Sequence, residues 1–309
     1  MQEIRRIAVI GAGAIGAVYG SLLHAAYPGR VRFVADAPRA KRLEASGVRV
    51  NGVPHAVPAA APETLEVQPD LVLVAVKYHH LPRVVELIDR IRHEDTVVVS
   101  LLNGIDSEEI IAGRIGWDHV LYGMALAIDA VRTGNEITVS SNGTIYLGRA
   151  ENAEVDGEVA AVRDVLAGAG ISVEVPGDML RMLWWKFMIN IGMNQVSAVL
   201  GAPYREFQEN EHARALTDRA MYECVAVAAA EGIDLGEADI ARWHEVLKRL
   251  APEGKTSMLQ DIEAGRKTEV EMLAGQLIER AARHGIDVPC NEALLHMIKV
   301  YEARSGAVS

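Results

Sequence analysis

The feature that most constrains this chain is a set of glycines placed directly behind a short apolar run near its start. Arg6 to Ile10 has strand length, and Gly11-Ala12-Gly13-Ala14-Ile15-Gly16 follows at once, before a helical stretch to about Ala26. Strand, glycine turn and helix in direct succession leave few folds open. Gly11 permits a tight turn, Gly13 leaves the backbone bare for close approach, and Gly16 lets the helix lie near the strand. The helix that opens at Ala14-Ile15 has N–H groups without helical acceptors and the positive end of its dipole there, which together suit an anion.

The grammar beyond that turn is of two kinds. Val31 to Ala35 is a second apolar run, ended by Asp36, and a basic helix is predicted from Pro38 to Ser46. Arg49 to Val57 reads as one or two short strands around the turn dipeptide Asn51-Gly52. Leu71 to Val76 and Thr96 to Leu102 read as buried strands, with a helix from Leu81 to Arg92 between them. Apolar runs alternating with helices indicate a parallel sheet covered on both faces. From Val120 the pattern predicts strands over Val120 to Val131, Asn135 to Ser140 and Gly143 to Gly148, with Asn142-Gly143 as a hairpin turn. A helix over Val155 to Ala169 and a strand over Ile171 to Val175 follow.

Beyond Pro176-Gly177 the pattern contains helices only. They are expected over Met179 to Leu200, Glu209 to Glu231, Glu237 to Leu250, Met258 to Ala264, Glu269 to His284 and Asn291 to Ala303. The fold class is therefore α/β, with a Rossmann-type parallel-sheet domain over residues 1–177 and an all-helical domain over residues 178–309. A chain of 309 residues is long enough for two such domains.

Composition narrows the functional classes. A formal net charge of −11 argues against nucleic acid as a partner. No apolar run approaches the roughly 20 residues that span a bilayer, and Ile7 to Ile10 is too short for the apolar segment of a signal peptide. Cys224 and Cys290 have no metal-ligand or redox spacing, so two free thiols, no metal and a reducing cytoplasm are expected.

In its strand-and-helix context the glycine pattern reads as a dinucleotide site, with the pyrophosphate on the helix N-terminus. Asp36 stands twenty residues after Gly16, at the end of the second strand. An acid there accepts from the ribose 2′-OH and repels a 2′-phosphate, which favours NADH. Arg39, Lys41 and Arg42 follow closely, either to grip a 2′-phosphate or as a solvated helix face. Lys77 and Asn103-Gly104 end their strands on the edge where open parallel sheets bind ligands, within reach of the nicotinamide half, although each could serve only as a turn.

The second informative segment is Leu183 to Leu200, apolar nearly all round and so expected to be buried. Lys186, Asn190 and Asn194 interrupt it at i, i+4, i+8 and share one face with a drift of roughly 40° per step. A lysine and two amides in line on a buried helix need partners: another element's acids, water, or a ligand in a cleft between the domains. A partly desolvated lysine suits proton donation to a carbonyl that is being reduced. Farther on, Ser257 and Glu269 lie twelve residues apart, about 18 Å on one straight helix. Gly265 offers a break, and Thr268 with Glu271 forms a capping-box pattern, so a new helix is predicted from Glu269. On spacing alone Glu269 is equally an ordinary first-turn acid.

Taken together, these residues resemble the ketopantoate reductase (2-dehydropantoate 2-reductase) family over nearly the whole chain. The resemblance rests on Gly11 to Gly16, Val76-Lys77, Leu102-Asn103-Gly104, the Lys186–Asn190–Asn194 stripe, Ser257 to Asp261 and Gly265 to Glu269. It implies an active site between the two domains and reduction of a small 2-oxo acid by NAD(P)H to the 2-hydroxy acid, a step towards coenzyme A. It implies Lys186 as general acid, with Glu269 as its catalytic partner. Asn190, Asn194, Ser257 and Asn103 are implied as substrate-binding, and Gly11, Gly13, Ala14, Ile15, Gly16, Asp36, Lys77 and Asn103 as cofactor-binding. NADPH is the cofactor the resemblance implies, and Asp36, where many members carry an arginine, leaves NADH open. Leu102, where the family commonly has glutamine, leaves another 2-oxo acid open. The partners expected are the small-molecule substrate and a second copy of the chain in a homodimer, with no membrane. Two readings compete: a 3-hydroxyacid dehydrogenase, against which the Ser257–Asp261 and Thr268-Glu269 segments speak, and a dinucleotide-sensing module without turnover.

Overall fold

A computed structural model of the chain describes residues 3–306. Its contacts divide the chain into two units, one ending at Leu180 and the other beginning at Arg181.

The first unit is built on a mixed sheet, mostly parallel, with two antiparallel pairs. Its strands β1 (Ile7–Ile10), β2 (Val31–Val34), β3 (Val48–Val50), β4 (Val53–His55), β5 (Ala59–Ala60), β6 (Leu71–Val74), β7 (Val97–Ser100), β8 (Val120–Thr133) and β9 (Glu136–Gly148) lie in the order β4-β3-β9-β8-β7-β6-β1-β2-β5. A short β10 (Ser172–Glu174) pairs with β9. β1 pairs in parallel with β2 on one side and β6 on the other, which is where the order reverses and where such sheets bind ligands. Both faces are covered. In β1, Ile7 and Val9 join one apolar cluster with Tyr19, Leu23 and Leu166, while Ala8 and Ile10 join another with Leu81, Ile88 and Ile111. That two-residue alternation explains why the strands read as unbroken apolar runs. The covering helices are α1 (Ala14–Ala26), α2 (Ala37–Ser46), α3 (Leu81–Ile91), α4 (Ser107–Ile115) and α5 (Gly157–Gly168).

Two sequence expectations change here. Helix α4 had no counterpart, although Glu108 and Glu109 in its first turn and Gly116 after its end mark it. The β8–β9 hairpin turns at Gly134-Asn135, between the paired Thr133 and Glu136, and not at Asn142-Gly143. Gly143 lies inside β9 with φ +63°, where a Cβ would stand 2.4 Å from the Leu126 carbonyl oxygen. Its freedom is used for the close approach to β8 across Ala127, itself at φ +57°, so one strand runs where two were expected.

The second unit is helical, and among the described residues no strand follows Glu174. α6 (Met179–Ile189), in which the division falls, continues through a wider π-helical turn, Asn190–Asn194, into α7 (Gln195–Leu200). α8 (Tyr204–Glu209), α9 (Glu211–Ala230), α10 (Glu237–Leu247) and α11 (Ser257–Glu263) follow. A second π-helical turn, Glu271–Gly275, leads into α12 (Gln276–His284), and α13 (Pro289–Ser305) closes the unit. The expected helix over Met179 to Leu200 thus carries a defect at its centre. α9 buries Ala213, Thr217, Ala220, Met221, Cys224, Val227 and Ala228 at helical spacing. A Cβ on Gly192 would meet Met221 at 2.7 Å, so glycine there lets the first π-turn close on α9. Both cysteines are free. Among the described residues no helix is long and apolar enough to cross a membrane, and no group of three metal-ligating side chains occurs.

Candidate active site

The glycine turn sits at the carboxyl end of β1. Gly11 has φ +106°, and a Cβ there would stand 2.4 Å from the Ala75 carbonyl oxygen; on Gly16 it would stand 1.8 Å from that of Gly11. Those two glycines are demanded by packing. Gly13 is not: the nearest atom to its Cβ would be 3.8 Å away, so the space above it is open to a ligand. Gly13 caps α1 without a side-chain bond, and the first turn carries no acid. The first helical bond runs from Ala17 N–H to the Gly13 carbonyl at 2.9 Å, which leaves the N–H groups of Ala14, Ile15 and Gly16 before it. The turn therefore fits a pyrophosphate in shape and in charge.

Around it lies more positive charge than the sequence disclosed. Arg132, far along β8, donates from Nη1 to the Ala12 carbonyl in the turn. Burial first, and the neighbouring Arg39 charge second, hold its guanidinium below its ordinary value. His80 is held down likewise, by burial and then by His79, Arg39 and Arg83. Asp36 is exposed at the end of β2 and accepts from the Arg39 backbone N–H at 2.9 Å, capping α2. A capping role for this acid is added to the ribose role expected from sequence.

The ends of β6 and β7 are tied to each other. Lys77 is exposed just past β6, and the next residue, Tyr78, donates to Asp106 at 2.5 Å. Asp106 closes the loop that leaves β7 through Asn103-Gly104, with Gly104 at φ +95°. The same loop is stapled at its base, where the hydroxyls of Ser100 and Ser107 lie 2.7 Å apart. Ser107 donates onward to Glu108 at 2.8 Å, whose other carboxyl oxygen accepts from Gly123 N–H at 3.2 Å. Glu108 is buried, and desolvation raises its pKa to about 7. Leu102 is buried in the core, with its N–H on Ser100 Oγ, so its departure from glutamine is absorbed by packing.

In the helical unit Lys186 is half-buried on α6. Asn190 opens the first π-turn and Asn194 closes it, and because the wider turn rotates less per residue, it opposes the drift that an unbroken helix would give. Nδ2 of Asn190 is buried with no acceptor among the described residues. Gln195, fully buried, donates to the Ile191 carbonyl at 2.8 Å and to Asn291 at 3.0 Å, bracing the turn from behind. The turn packs against α9, α11 and the second π-turn. Thr256 caps α11 and meets Ser197 at 2.5 Å, and Ser257, the first residue of α11, is exposed.

The expected break at Gly265 is present, with φ +61°, and Arg266 folds back onto Asp261 at 2.8 Å. The expected capping box is not. Thr268 gives its N–H and its hydroxyl to Glu302 of α13, at 2.8 and 2.7 Å, while Glu271 pairs with Lys299. A buried acid from a distant helix thus takes the place foreseen for Glu271 and fixes the residue before the half-buried Glu269. The structure so gathers Gly11 to Gly16, Asp36, Lys77 and Asn103 at one edge of the sheet, and Asn190, Asn194, Ser257 and Glu269 on or beside packed elements of the helical unit. Arg132, Glu108, Gln195 and Glu302 escaped the sequence reading. Their partners lie from one to more than a hundred residues away, and no local spacing marks them.

Comparison with known proteins bears on the family and the fold. Residues 7–152 match the family model described as ketopantoate reductase PanE/ApbA, and residues 178–302 match its C-terminal counterpart. The chain is 30% identical to a 2-dehydropantoate 2-reductase of Archaeoglobus fulgidus, over 98% of this chain and 99% of that one. It is similar in structure to a 2-dehydropantoate 2-reductase from Geobacter metallireducens, with a TM-score of 0.85 and 29% identity over 95% of this chain and 99% of the other. The fold also matches a D-mandelate dehydrogenase solved with NADH and anilino(oxo)acetate, with a TM-score of 0.87 at 24% identity over 97% and 99% of the two chains.

Proposed function

The chain belongs to the ketopantoate reductase family of NAD(P)H-dependent oxidoreductases, and from that premise we propose that it is a 2-dehydropantoate 2-reductase, reducing the 2-oxo group of ketopantoate to give pantoate. The observation that carries this reading is the buried Asn190 Nδ2. Leaving such a donor unsatisfied costs about 1–3 kcal/mol, so its retention on the face of Lys186 points to an oxygen-bearing ligand.

Bound NAD(P)H supplies the hydride that goes to the 2-oxo carbon. Lys186 donates a proton to the ketone oxygen as negative charge grows there, and regains one from solvent. Asn190 donates to a substrate oxygen, Glu269 accepts from a substrate hydroxyl, and Asn194 and Ser257 hold the substrate in place, Ser257 on the carboxylate side. Gly13, with the N–H groups of Ala14, Ile15 and Gly16, would hold the pyrophosphate, and Lys77 and Asn103 would flank the nicotinamide half.

For the cofactor we propose NADPH, with Arg39 and Arg132 on its 2′-phosphate. Arg132, held down by burial and then by the Arg39 charge, is relieved by a shared anion, and Asp36, partly engaged as a cap, opposes that preference only in part. A homodimer in solution belongs to the same reading and is checked by sedimentation. The test of function is the initial rate of NADPH and of NADH oxidation, in parallel, with ketopantoate and a panel of 2-oxo acids. The expected result is fast, ketopantoate-preferring turnover with NADPH ahead. If ketopantoate is inert while another 2-oxo acid turns over, the chain is a paralogue of different substrate. Dinucleotide binding without any turnover would favour the sensing module.

A further inference from the structure

The loop that carries Asn103 is tied at its base by side chains. Its ends, Ser100 on β7 and Ser107 on α4, meet at 2.7 Å. Four donors serve that closure and converge on the Glu108 carboxylate: Leu102 N–H to Ser100, Ser100 to Ser107, Ser107 to Glu108, and Gly123 N–H to the second oxygen of Glu108. The order follows from proton counting. The two backbone N–H groups can only donate, Ser107 spends its proton on Glu108, and so Ser100 must donate to Ser107.

We propose that Glu108 is a positioning residue: its carboxylate, acting through Ser107 and Ser100, holds the loop 101–106 and with it Asn103 in the arrangement needed for turnover. The inference rests on the reductase reading above, since Asn103 has its role only there. Each donor in the chain has an acceptor when Glu108 is ionised. A fifth proton, on the carboxyl, has no place in it. If it goes to Ser107, the Ser107–Ser100 bond reverses and the Ser100 proton is displaced; if it goes to the other oxygen, it occupies the second lone pair there and weakens the acceptor of Gly123 N–H. Protonation therefore loosens the staple, and deprotonation closes it.

The surroundings make that proton exchange accessible near neutrality. Glu108 lies with 1% of its surface exposed, and desolvation raises its pKa to about 7. Ser107 and the Gly123 N–H lower it, and the Asp106 charge raises it. Asp106 is in turn held by Tyr78 from the β6 end, so the Lys77 and Asn103 loops share one polar network. β7 and β8 contribute Ser100 and the Gly123 N–H to it.

The experiment joins kinetics to a readout free of turnover. In the wild type, kcat/KM for the 2-oxo acid should rise through a limb near pH 7. In E108Q, a permanent neutral form, that limb should vanish and kcat/KM should stay roughly ten- to a hundredfold low at every pH, with KM for the 2-oxo acid raised and dinucleotide affinity within about threefold of normal. Ser107→Ala, which cuts the staple and keeps the carboxyl, should lower kcat/KM in the same way. On 15N-glycine-labelled protein, the Gly123 and Gly104 amide resonances should titrate together in the wild type and not in E108Q. An E108Q profile that keeps the limb overturns the proposal, and so does a Gly104 resonance that stays still while Gly123 titrates. Joint titration in a protein that reduces no 2-oxo acid would leave the coupling in place and overturn the reductase reading instead. Wild type and Ser107→Ala suffice should E108Q fail to fold.

Discussion

Two buried polar regions of this molecule are built on opposite terms. At the end of β7, Ser100, Ser107 and Glu108 satisfy one another, and every donor in the chain of bonds has a protein acceptor. At the first π-turn, Asn190 keeps a buried donor without a protein acceptor. A closed network fixes backbone, whereas an open donor waits for something to bind. The difference separates residues that position from residues that touch a ligand, and each variant below either sharpens that separation or breaks it.

The largest effect is expected at Lys186. Lys186→Ala should lower kcat by a factor of roughly 10² to 10⁴, the range for losing a general acid. Dinucleotide affinity, measured by NAD(P)H fluorescence titration, should change by less than about threefold. Collapse of that affinity with kcat preserved at saturation would remove Lys186 from the chemistry and leave Asn190 as an unexplained defect.

The closed network makes a prediction about stability with a definite sign. Burial raises the Glu108 pKa from its ordinary 4.5 to about 7. Between those values the folded state binds more protons than the unfolded one, so this contribution is fully present below pH 4.5 and is lost as pH rises through 7. The loss approaches about 3 kcal/mol. Urea unfolding of wild type against E108Q from pH 4.5 to 8 should show the variant gaining by about that amount as pH rises. A constant difference would mean that Glu108 does not titrate in this window. The ionised form is then the less stable and, by the positioning proposal, the active one, which is how a functional site retains an unfavourable charge.

The open donor predicts the reverse pattern. Asn190→Leu removes an unsatisfied amide from a buried position, so stability should hold or rise by up to about 1 kcal/mol. kcat/KM for the 2-oxo acid should nevertheless fall roughly 10- to 100-fold, because a donor to the substrate is gone. Thermal unfolding beside steady-state kinetics measures both. A variant that loses stability while keeping kcat/KM would show that the amide has a structural partner and is not reserved for ligand.

How far these regions were legible in the sequence follows from the reach of their interactions. The glycine turn was legible because Gly16 packs on Gly11 within a few residues of chain, although the carbonyl that demands Gly11, that of Ala75, comes from a distant strand end. The Lys186, Asn190 and Asn194 spacing was legible, but the π-turn between the two amides was not. It depends on Gln195 reaching Asn291, ninety-six residues away, and on Gly192 fitting against α9. Helix α4 was passed over although its acidic first turn and Gly116 mark it, because it is short and Gly113 interrupts its apolar pattern. Gly143 misled for the opposite reason: Asn-Gly favours a tight turn locally, and contact with β8 used the same positive φ within a strand.

The smallest expected effect lies at Asp36, and it tests whether one side chain can belong to both kinds of region. Its carboxylate caps α2 through Arg39 N–H, as a closed network would have it, and is exposed at the end of β2, where a ribose would meet it. Asp36→Ala should therefore do two modest things at once. Loss of the cap should lower stability by about 1 kcal/mol. Loss of a negative charge beside Arg39 should raise the NADPH-to-NADH ratio of kcat/KM by a few fold, the scale of one screened charge near a phosphate. Asp36→Asn separates the two, because an amide still caps α2 but no longer repels a phosphate: stability should return while the shifted ratio remains. If the ratio returns with the cap, Asp36 acts on the cofactor only by holding α2, and Arg39 with it, in place.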